Sequence, residues 1–325
     1  MNGDSYEVRL FRPGDEERVL AFHNRAFAPA RSMAHFEWRF LRNPAGPPQL
    51  ALALDAERCV GIYASLPVRC IVRGERVLAC VHTDCGVDPD LRRGLAGTRV
   101  IMAVERLHKV ACVQGRALLE WGFPEPALQR VVIRHCGVGV LRDVHMLVHA
   151  ADRLPAPPDD VDVALVAAVP SDVDALWWRV APSLAATTVR DASYLDWRYA
   201  RHPDHAHVML TARSGGVLRG FAVLRDSGPD PSATAIMELI VPPDDGGAER
   251  ALLARAGAEA RARGREYVTA WVPLQLPAAY RWQRDYGFFV TSTPFQECYR
   301  SWSRDLHRRW LGANWYRSIG DIDFF

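Results

Sequence analysis

The amino-acid sequence contains an internal repeat. Residues 36–44, which include Trp38, Arg39 and Pro44, return 159 positions later as residues 195–203, with tryptophan, arginine and proline in the same places. Two further pairs share one spacing of 16 residues, Trp121 with Gly137 and Trp271 with Gly287. A fixed period of this length is typical of duplicated structure, so the repeat predicts one fold unit that is used twice.

The division between the two copies falls in a stretch rich in proline and acidic residues. Residues 153–160 contain three prolines and two aspartates, a composition typical of a solvated linker. The predicted domains are an N-terminal domain of residues 1–152 and a C-terminal domain of residues 161–325.

Both copies have the same predicted order of elements: a helical first third, alternating apolar runs, a long amphipathic helix, a strand, a short helix and a closing strand. In the first copy the runs are residues 49–54, 58–64, 68–73 and 77–87, followed by a helix at about 94–110, a strand at 115–121, a helix at 126–135 and a strand at 138–149. Most runs are too close together for helical crossovers. The predicted class is therefore α/β, with a mixed, mostly antiparallel sheet flanked by helices in each domain.

The composition excludes several classes of protein. The 325 residues are 49% hydrophobic and carry a formal net charge of +2, which is the profile of a soluble globular protein. The near-neutral charge gives no reason to expect a nucleic-acid partner. A charged N-terminus and the lack of any apolar stretch of about 20 residues predict a cytoplasmic protein with no membrane partner. Seven cysteines without metal-ligand spacing predict reduced thiols and no metal.

A basic, glycine-rich turn follows the apolar run that ends at residue 87. Arg92 and Arg93 precede the long helix, and small residues surround the first turn of that helix. The free N–H groups and the dipole of a helix start attract anions, and glycine lets a diphosphate approach the backbone. The turn therefore predicts a phosphate site, although a plain connection with two solvated arginines explains the same residues.

The order of strand, basic glycine turn, helix, strand, proline loop, short helix and glycine turn resembles the GNAT superfamily of CoA-dependent N-acyltransferases. The duplicated Trp-Arg-aromatic segment is similar to a subgroup of tandem GNAT proteins that is frequent in actinobacteria. The resemblance extends from about residue 8 to residue 289, and it implies acyl-CoA, with an acetyl or a longer acyl group, as cosubstrate. One departure lies in the turn, where residues 92–97 fit the family's Arg/Gln-x-x-Gly-x-Gly/Ala form only with about one residue deleted.

By this resemblance, backbone after the first of two splayed strands would hold the pantetheine arm, the turn would bind the pyrophosphate, and an aromatic side chain would line the opening. The residues in these roles are Cys85, Gly86, Val87, Arg92, Arg93, Gly94, Leu95, Ala96, Gly97, Thr98 and Phe123. The second copy has Asp244 and Asp245 in place of the arginines, and aspartates repel phosphate. The N-terminal domain is therefore expected to bind acyl-CoA and catalyse, and the C-terminal domain to help form the acceptor site.

A general base is expected, because the attacking ammonium must lose a proton. His82 and Asp84 are the candidates, since period-two alternation along residues 77–87 would place them on one face of a strand. A satisfied polar pair at a strand end explains them equally well. The tyrosine that often serves this family as general acid is replaced by Ile133 in the first copy and by Gln283 in the second. Cys85 as an acyl-accepting nucleophile is the less favoured alternative.

The resemblance implies an N-acyltransferase that moves an acyl group from acyl-CoA to a primary amine of a small molecule, by direct attack on the thioester. Within the tandem subgroup, the expected acceptor is the amino sugar of an antibiotic or another natural product. Two alternatives stay open: an aminoacyl-tRNA-dependent transferase of similar tandem fold, and a non-catalytic acyl-CoA-binding protein. The expected partner is the small-molecule amine, and the protein is expected to be a monomer or a homodimer.

Overall fold

The structure, a computed structural model, describes residues 6–56, 58–93, 95–226 and 230–322. Gly94, which is expected in the phosphate-binding turn, lies outside the described residues. The chain forms two compact units, each assembled from three segments. The first unit contains Met1–Arg69, Val77–Arg142 and Phe295–His307, and the second contains Cys70–Arg76, Asp143–Pro294 and Arg308–Phe325.

The first half of the chain contains four α-helices among its described residues. They are α1 (Glu16–Ala26), α2 (Met33–Phe36), α3 (Leu95–Gln114) and α4 (Pro126–His135). The strands are β1 (Glu7–Leu10), β2 (Gln49–Asp55), β3 (Arg58–Val72), β4 (Glu75–His82), β5 (Gly86–Val87), β6 (Ala117–Gly122) and β7 (Gly139–Ala150). One turn of π-helix, Glu37–Leu41, continues α2.

The second half follows the same scheme. Its helices are α5 (Val173–Val180), α6 (Ala192–Leu195), α7 (Gly246–Ala262), α8 (Pro277–Tyr286) and α9 (Arg308–Asn314). Its strands are β8 (Asp162–Val166), β9 (Ala186–Thr188), β10 (Val208–Ser214), β11 (Val217–Asp226), β12 (Ala233–Ile240), β13 (Tyr267–Ala270) and β14 (Phe289–Ser301). A π-helical turn, Asp196–Ala200, again follows the short helix.

The repeated segment folds in the same way in both halves. Ser32 caps α2 by accepting from the backbone N–H of His35, and Asp191 caps α6 by accepting from that of Tyr194. A short polar side chain at the N-cap satisfies an N–H group that the helix leaves unpaired. The duplication that the sequence indicates is therefore visible as matching local structure.

The sheet of the first unit has the strand order β1, β2, β3, β4, β6 and the end of β14. The pairs β1–β2, β2–β3 and β6–β14 are antiparallel, whereas β4–β6 is parallel. The long helix α3 packs closely on this sheet, because a Cβ on Gly61 of β3 would come within 2.5 Å of Val100. The unit is thus a mixed sheet with helices against it, as predicted.

The sheet of the second unit has the strand order β8, β10, β11, β12, β13 and β7. Only one of these neighbouring pairs, β12–β13, is parallel. Leu252 of α7 lies against Gly220 of β11, where a Cβ would approach to 2.8 Å. Gly220 follows Gly61 by the repeat spacing, so a glycine lets the long helix approach the sheet in both copies.

The closing strands are exchanged between the copies. Residues 147–150 of β7 pair with β13 inside the second unit, and residues 298–301 of β14 pair with β6 inside the first. The compact units therefore differ from the continuous domains 1–152 and 161–325 expected from the sequence, because the last strand of each copy completes the sheet of the other. Residues 153–160, expected as a linker, lie within a segment of the second unit.

Two predicted strands have different bounds in the structure. The runs 58–64 and 68–73 form one strand, β3, of 15 residues. The run 77–87 is interrupted: β4 ends at His82, and β5 pairs with β3 after a short bend. The alternation expected along this run therefore does not continue beyond His82. Within the described part of the chain, no helix is long and apolar enough to cross a lipid bilayer.

Candidate active site

The parallel strands β4 and β6 separate at the level of His82. They are paired as far as Val81 and Trp121, and His82 is the last residue of β4. The chain then turns away, so that β5 pairs with β3 and not with β6. Two parallel strands that part in this way leave backbone groups that an extended ligand can use as an added strand.

The turn between β5 and α3 is held by its own side chains. Asp88, only 2% exposed, accepts from the backbone N–H of Asp90 and from Arg25. Arg92 donates to the carbonyl oxygen of Ala26 at 2.5 Å. Arg93 is exposed and makes no hydrogen bond or ion pair with the described residues. Arg92 therefore fastens the turn, and Arg93 is the arginine available to a ligand.

The first turn of α3 contains the small residues that the sequence analysis places near a pyrophosphate. Leu95 is 71% exposed, Ala96 and Thr98 are half-buried, and Gly97 is buried. A Cβ on Gly97 would overlap the carbonyl oxygen of Leu91. Glycine is therefore required here by the packing of the turn itself, a reason different from the diphosphate approach expected from the sequence.

The residues expected beside the pantetheine arm lie where the two strands separate. Cys85, Gly86 and Val87 are half-buried, and a Cβ on Gly86 would come within 2.9 Å of the Phe27 ring. Phe123, which directly follows β6, is 9% exposed. Their contacts with CoA stay predictions.

His82 pairs with a buried glutamate on the neighbouring strand. Its Nε2 atom lies 3.0 Å from Oε1 of Glu120, and the two side chains are 14% and 0% exposed. Gly122 makes room for the histidine, because a Cβ there would come within 2.7 Å of the His82 Cβ. The other ring nitrogen, Nδ1, lies 4.0 Å from Sγ of Cys85. The imidazole is thus fixed between Glu120 and the segment where the strands part.

Glu120 is an ionised carboxylate in the interior. Burial alone raises its pKa, but His82 and Arg300 outweigh this and lower the pKa to about 2. The Nη2 atom of Arg300 lies 2.6 Å from Oε1 of Glu120, and Nη1 of Arg300 donates to Glu105. Arg300 belongs to β14, so the exchanged strand supplies the cation that stabilises this carboxylate.

A second histidine lies behind the first. His108 of α3 is fully buried, with Nε2 2.8 Å from Oγ of Ser65 and Nδ1 3.9 Å from Oε2 of Glu120. His82, His108 and Glu120 could each offer one atom to a metal ion, since these atoms lie within 4.8 Å of one another. The positive charge of Arg300 beside Glu120 opposes a cation at this place. We interpret the cluster as a polar network, and the expected lack of a metal stays a prediction.

Asp84 has a different set of neighbours from His82. Arg31 donates to its Oδ2 at 2.6 Å, and Nε of Arg39 and Nε2 of His23 lie 3.8 and 3.7 Å from its oxygens. Burial raises the pKa of Asp84, but Arg31, Arg39 and His23 outweigh it and hold that pKa well below its usual range. The two candidates therefore have separate partners, and Glu120, not Asp84, lies against the imidazole.

The corresponding place in the second copy is chemically different. Counted from the matching tryptophans, Glu120 corresponds to Ala270, and Ile236, which pairs with Ala270, corresponds to Cys80, which pairs with Glu120. At the start of α7, Asp245 accepts from the backbone N–H of Ala248 at 3.0 Å and pairs with Arg219 at 2.6 Å. A carboxylate of the chain itself therefore occupies this helix start.

The sequence analysis missed Glu120, His108, Arg300 and Arg31. Glu120 is a single charge in an otherwise apolar strand, which is a usable signal, because a buried charge needs a partner. Arg31 carries a second signal, since it lies at the repeat spacing from Arg190. Arg300 gives no such signal, because its role depends on the strand exchange.

Comparison with known proteins adds the family context. Residues 7–109 match the family model described as "Acetyltransferase (GNAT) domain". A probable N-acyltransferase from Enterococcus faecalis has a TM-score of 0.69 at 13% identity, with 91% of this chain and 73% of that chain covered. A tandem GNAT protein from the clavulanic acid biosynthesis pathway has a TM-score of 0.58 at 14% identity, with 91% and 98% covered. The fold is that of tandem GNAT proteins.

These findings confirm the predicted fold class, α/β with two tandem GNAT domains. The expected enzyme class, an acyl-CoA-dependent N-acyltransferase, is confirmed at the level of the matched acetyltransferase domain. A GCN5-related N-acetyltransferase from Anabaena variabilis also shares the fold, with a TM-score of 0.68 at 12% identity over 91% of this chain and 73% of that chain. At identities this low, the likeness establishes the fold. A sequence comparison with characterised proteins gives no match.

Proposed function

We propose that the protein transfers an acyl group from acyl-CoA to a primary amine of a small molecule, with the N-terminal copy as the catalytic one. The observation that carries the proposal is the separation of β4 from β6 at His82, shortly before the turn into α3. An extended thioester can pair with backbone at this place, and its phosphates can reach the N–H groups of the helix start. No metal takes part in this proposal.

His82 is the general base in the proposed reaction. A proton on Nε2 faces the ionised Glu120, which leaves the lone pair of Nδ1 to take a proton from the acceptor ammonium. The amine nitrogen then attacks the thioester carbonyl carbon, a C–N bond forms and the C–S bond breaks. The nitrogen releases its second proton to water, and the leaving CoA thiolate takes up a proton from water. Backbone N–H groups at the separated strands would stabilise the oxyanion. Asp84 takes no part in this proton transfer, because its carboxylate accepts a hydrogen bond from Arg31.

The second copy is proposed to have no cosubstrate of its own. Asp245 already satisfies an N–H group of the α7 helix start and carries a negative charge there, which opposes a phosphate. Ala270 also offers no carboxylate in place of Glu120. This asymmetry supports placing both CoA and the base in the first copy.

The finer expectations from the sequence resemblance remain part of the proposal. The acceptor class to test first is the amino sugar of an antibiotic or another natural product, and one structural neighbour comes from the clavulanic acid biosynthesis pathway. A cytoplasmic location, a small-molecule amine as the partner, no nucleic-acid or membrane partner and a monomeric or homodimeric state are proposed with it.

An assay of thiol release tests the proposal. The full-length protein is incubated with acetyl-CoA and longer acyl-CoAs, with and without a set of amino sugars and amino acids, and free thiol is measured. Release that depends on the amine is the expected result. Binding of acyl-CoA without release from any amine would indicate a binding protein instead. Failure to bind any acyl-CoA would contradict the proposal and direct attention to aminoacyl-tRNA as donor.

A further inference from the structure

A buried arginine of the second unit has no carboxylate partner among the described residues. Arg225 is the penultimate residue of β11, and its side chain is 6% exposed. It makes no hydrogen bond and no ion pair with the part of the chain that the structure describes. Its Nε atom is buried, whereas the two Nη atoms reach solvent. Buried charges in proteins are normally paired, so a guanidinium in this state needs an explanation.

A second buried arginine lies near Arg225. Arg198, in the π-helical turn, is 8% exposed and donates to the backbone carbonyl oxygens of Gly320 and Ile322. Burial and the nearby charge of Arg198 lower the pKa of Arg225 to about 10. Two positive charges that lie close together repel each other. The fold thus brings two cations together here and gives Arg225 no described carboxylate to offset its charge.

A histidine is the neighbour of Arg225 on the next strand. Val208 of β10 pairs with Leu224 of β11, so His207 and Arg225 are the next neighbours along these antiparallel strands. The ring of His207 lies within hydrogen-bond distance of the carbonyl oxygen of Tyr199, with its Nδ1 atom at 3.1 Å. Burial and the charges of the two arginines lower the pKa of His207 to about 3. His207 is therefore neutral at neutral pH and adds no charge of either sign.

The loop before β10 brings further N–H donors to the surface beside Arg225. Nδ1 of His202 accepts from the backbone N–H groups of Asp204 and His205, each at 3.2 Å. The proton of a neutral His202 ring is therefore on Nε2, which is a donor. The ring centres of His202 and His205 lie 4.8 Å apart. Partial burial and the charge of Arg225 lower the pKa of the exposed His205, which places these two side chains near each other.

The first copy has different residues at the positions of the two arginines. By the repeat spacing of 159 residues, Arg225 corresponds to Leu66, an apolar residue. Arg198 corresponds to Arg39, whose Nε atom lies 3.8 Å from Oδ2 of Asp84. The first copy therefore has one arginine with a carboxylate where the second has two arginines close together. The shared fold does not require the charge of Arg225, so this charge needs a reason specific to the second copy.

We propose that the surface formed by Arg198, His202, His205, His207 and Arg225, the Arg225 cluster, binds a phosphate group. The fork of a guanidinium matches two oxygens of a phosphate. A phosphate monoester carries between one and two negative charges at neutral pH, whereas a carboxylate carries only one. A phosphate therefore offsets the paired arginines better than a carboxylate does. The inference concerns the second unit and does not depend on the acyl transfer proposed for the first copy.

Thermal unfolding of the full-length protein tests the site. It is measured at neutral pH in about 10 mM phosphate, acetate or chloride at equal ionic strength. Phosphate is expected to raise the melting temperature by about 2 °C or more above the value in chloride, because a ligand that binds only the folded state stabilises it. Equal melting temperatures in phosphate and chloride would overturn the inference. A response to acetate as large as that to phosphate would reject phosphate as the ligand class.

Glycerol 3-phosphate, added at the same concentration, distinguishes two sources of the phosphate group. A rise in melting temperature with both glycerol 3-phosphate and inorganic phosphate would support a site for the phosphate group of a larger molecule. A rise with inorganic phosphate alone would support a site for the free ion.

Arg225→Leu introduces the residue type that the first copy has at this position. The variant should lose the response to phosphate, and in chloride it should unfold at the wild-type temperature or above, because a buried charge without a partner is removed. Arg213→Leu is the matched control, since Arg213 of the same unit pairs with Asp172 at 2.8 Å and should leave the phosphate response intact. A wild-type response in Arg225→Leu would contradict the proposal.

Arg225→Lys gives a second measurement that keeps the positive charge. Lysine lacks the fork, so calorimetric titration with phosphate should show binding about 5- to 10-fold weaker than in wild type. Unchanged affinity in Arg225→Lys would show that the guanidinium does not hold the phosphate and would overturn the assignment to Arg225.

Discussion

Oε1 of Glu120 lies 3.0 Å from Nε2 of His82, a pairing that the second copy does not repeat. Ala270 stands in place of Glu120 there and has no polar group that could hold an imidazole. The two copies thus differ in the carboxylate that would position a general base.

His82→Gln is expected to lower kcat for amine-dependent thiol release by about 10²- to 10⁴-fold, which is the range for loss of a positioned general base. The KM for acyl-CoA should change little, because the proposed CoA contacts lie in the turn and helix start. His135→Gln, an exposed histidine at the end of α4, is the control and should keep full activity. Full turnover of His82→Gln at saturating substrates would remove His82 as the base.

The depressed pKa of Glu120 predicts a particular dependence of stability on pH. A carboxyl group whose pKa is lower in the folded state stabilises the fold fully above its unfolded pKa, near 4.5, and this stabilisation is lost as the pH falls towards about 2. The difference amounts to about 3 kcal/mol in the free energy of unfolding. Glu120→Gln should therefore be less stable than wild type by about this amount at pH 7.

Urea denaturation at a series of pH values measures the effect. The gap between wild type and Glu120→Gln should narrow below pH 4.5, because the wild-type carboxylate becomes protonated there. A gap that stays constant from pH 7 to pH 3 would show that the loss comes from packing and not from the charge of Glu120.

The two adjacent arginines of the turn are expected to respond differently to substitution. Arg93→Ala should raise the KM for acyl-CoA about 5- to 10-fold without lowering the melting temperature, because the side chain is exposed and has no described ionic partner. Arg92→Ala should lower stability by about 1 kcal/mol, because it loses its hydrogen bond to the carbonyl oxygen of Ala26. Steady-state kinetics and thermal unfolding of the two variants make the comparison. Equal effects in both assays would contradict the separate roles.

More of the fold than of the site could be predicted from the sequence. The repeated segment around Trp38 and Trp197 could be recognised because its hydrogen bonds and caps are local, so similar residues give similar structure. His82 could be named as a candidate base, but its partner Glu120 is on another strand. Arg300, which pairs with Glu120, lies on the exchanged strand β14. Pairings between strands that are distant along the chain leave no spacing pattern in a single sequence.

The bend after β4 shows a second reason for the difference. Alternation predicts a shared face for His82 and Asp84 only while the strand is regular, and the strand ends at His82. The Asp84 carboxylate then lies against Arg31 and His23 and not beside His82. The charges that decide this come from residues more than 50 positions earlier, outside the range of any local pattern.

Gly97→Ala is expected to disturb the helix start of the first copy. The new Cβ would overlap the backbone carbonyl of Leu91, so the turn must shift, at a cost of about 1–3 kcal/mol. The KM for acyl-CoA should rise with it. Gly246→Ala at the start of α7 is the matched control, because its Cβ meets nothing within 4 Å and helix starts tolerate alanine. Denaturation curves and KM values measure both effects, and identical behaviour of the two variants would contradict the packing argument.

Asp321→Ala tests the buried ion pairs of Arg190 through the stability of the fold. The substitution leaves Arg190 buried with one carboxylate in place of two, and removal of one partner from a buried ion pair costs about 3–5 kcal/mol. Urea denaturation at neutral pH should show this loss as a lower midpoint with the same slope. Asp285→Ala, an exposed aspartate paired with Arg284, is the control and should leave the midpoint unchanged. If both variants unfold at the wild-type midpoint, Asp321 does not stabilise the docked end of the chain beside Arg190.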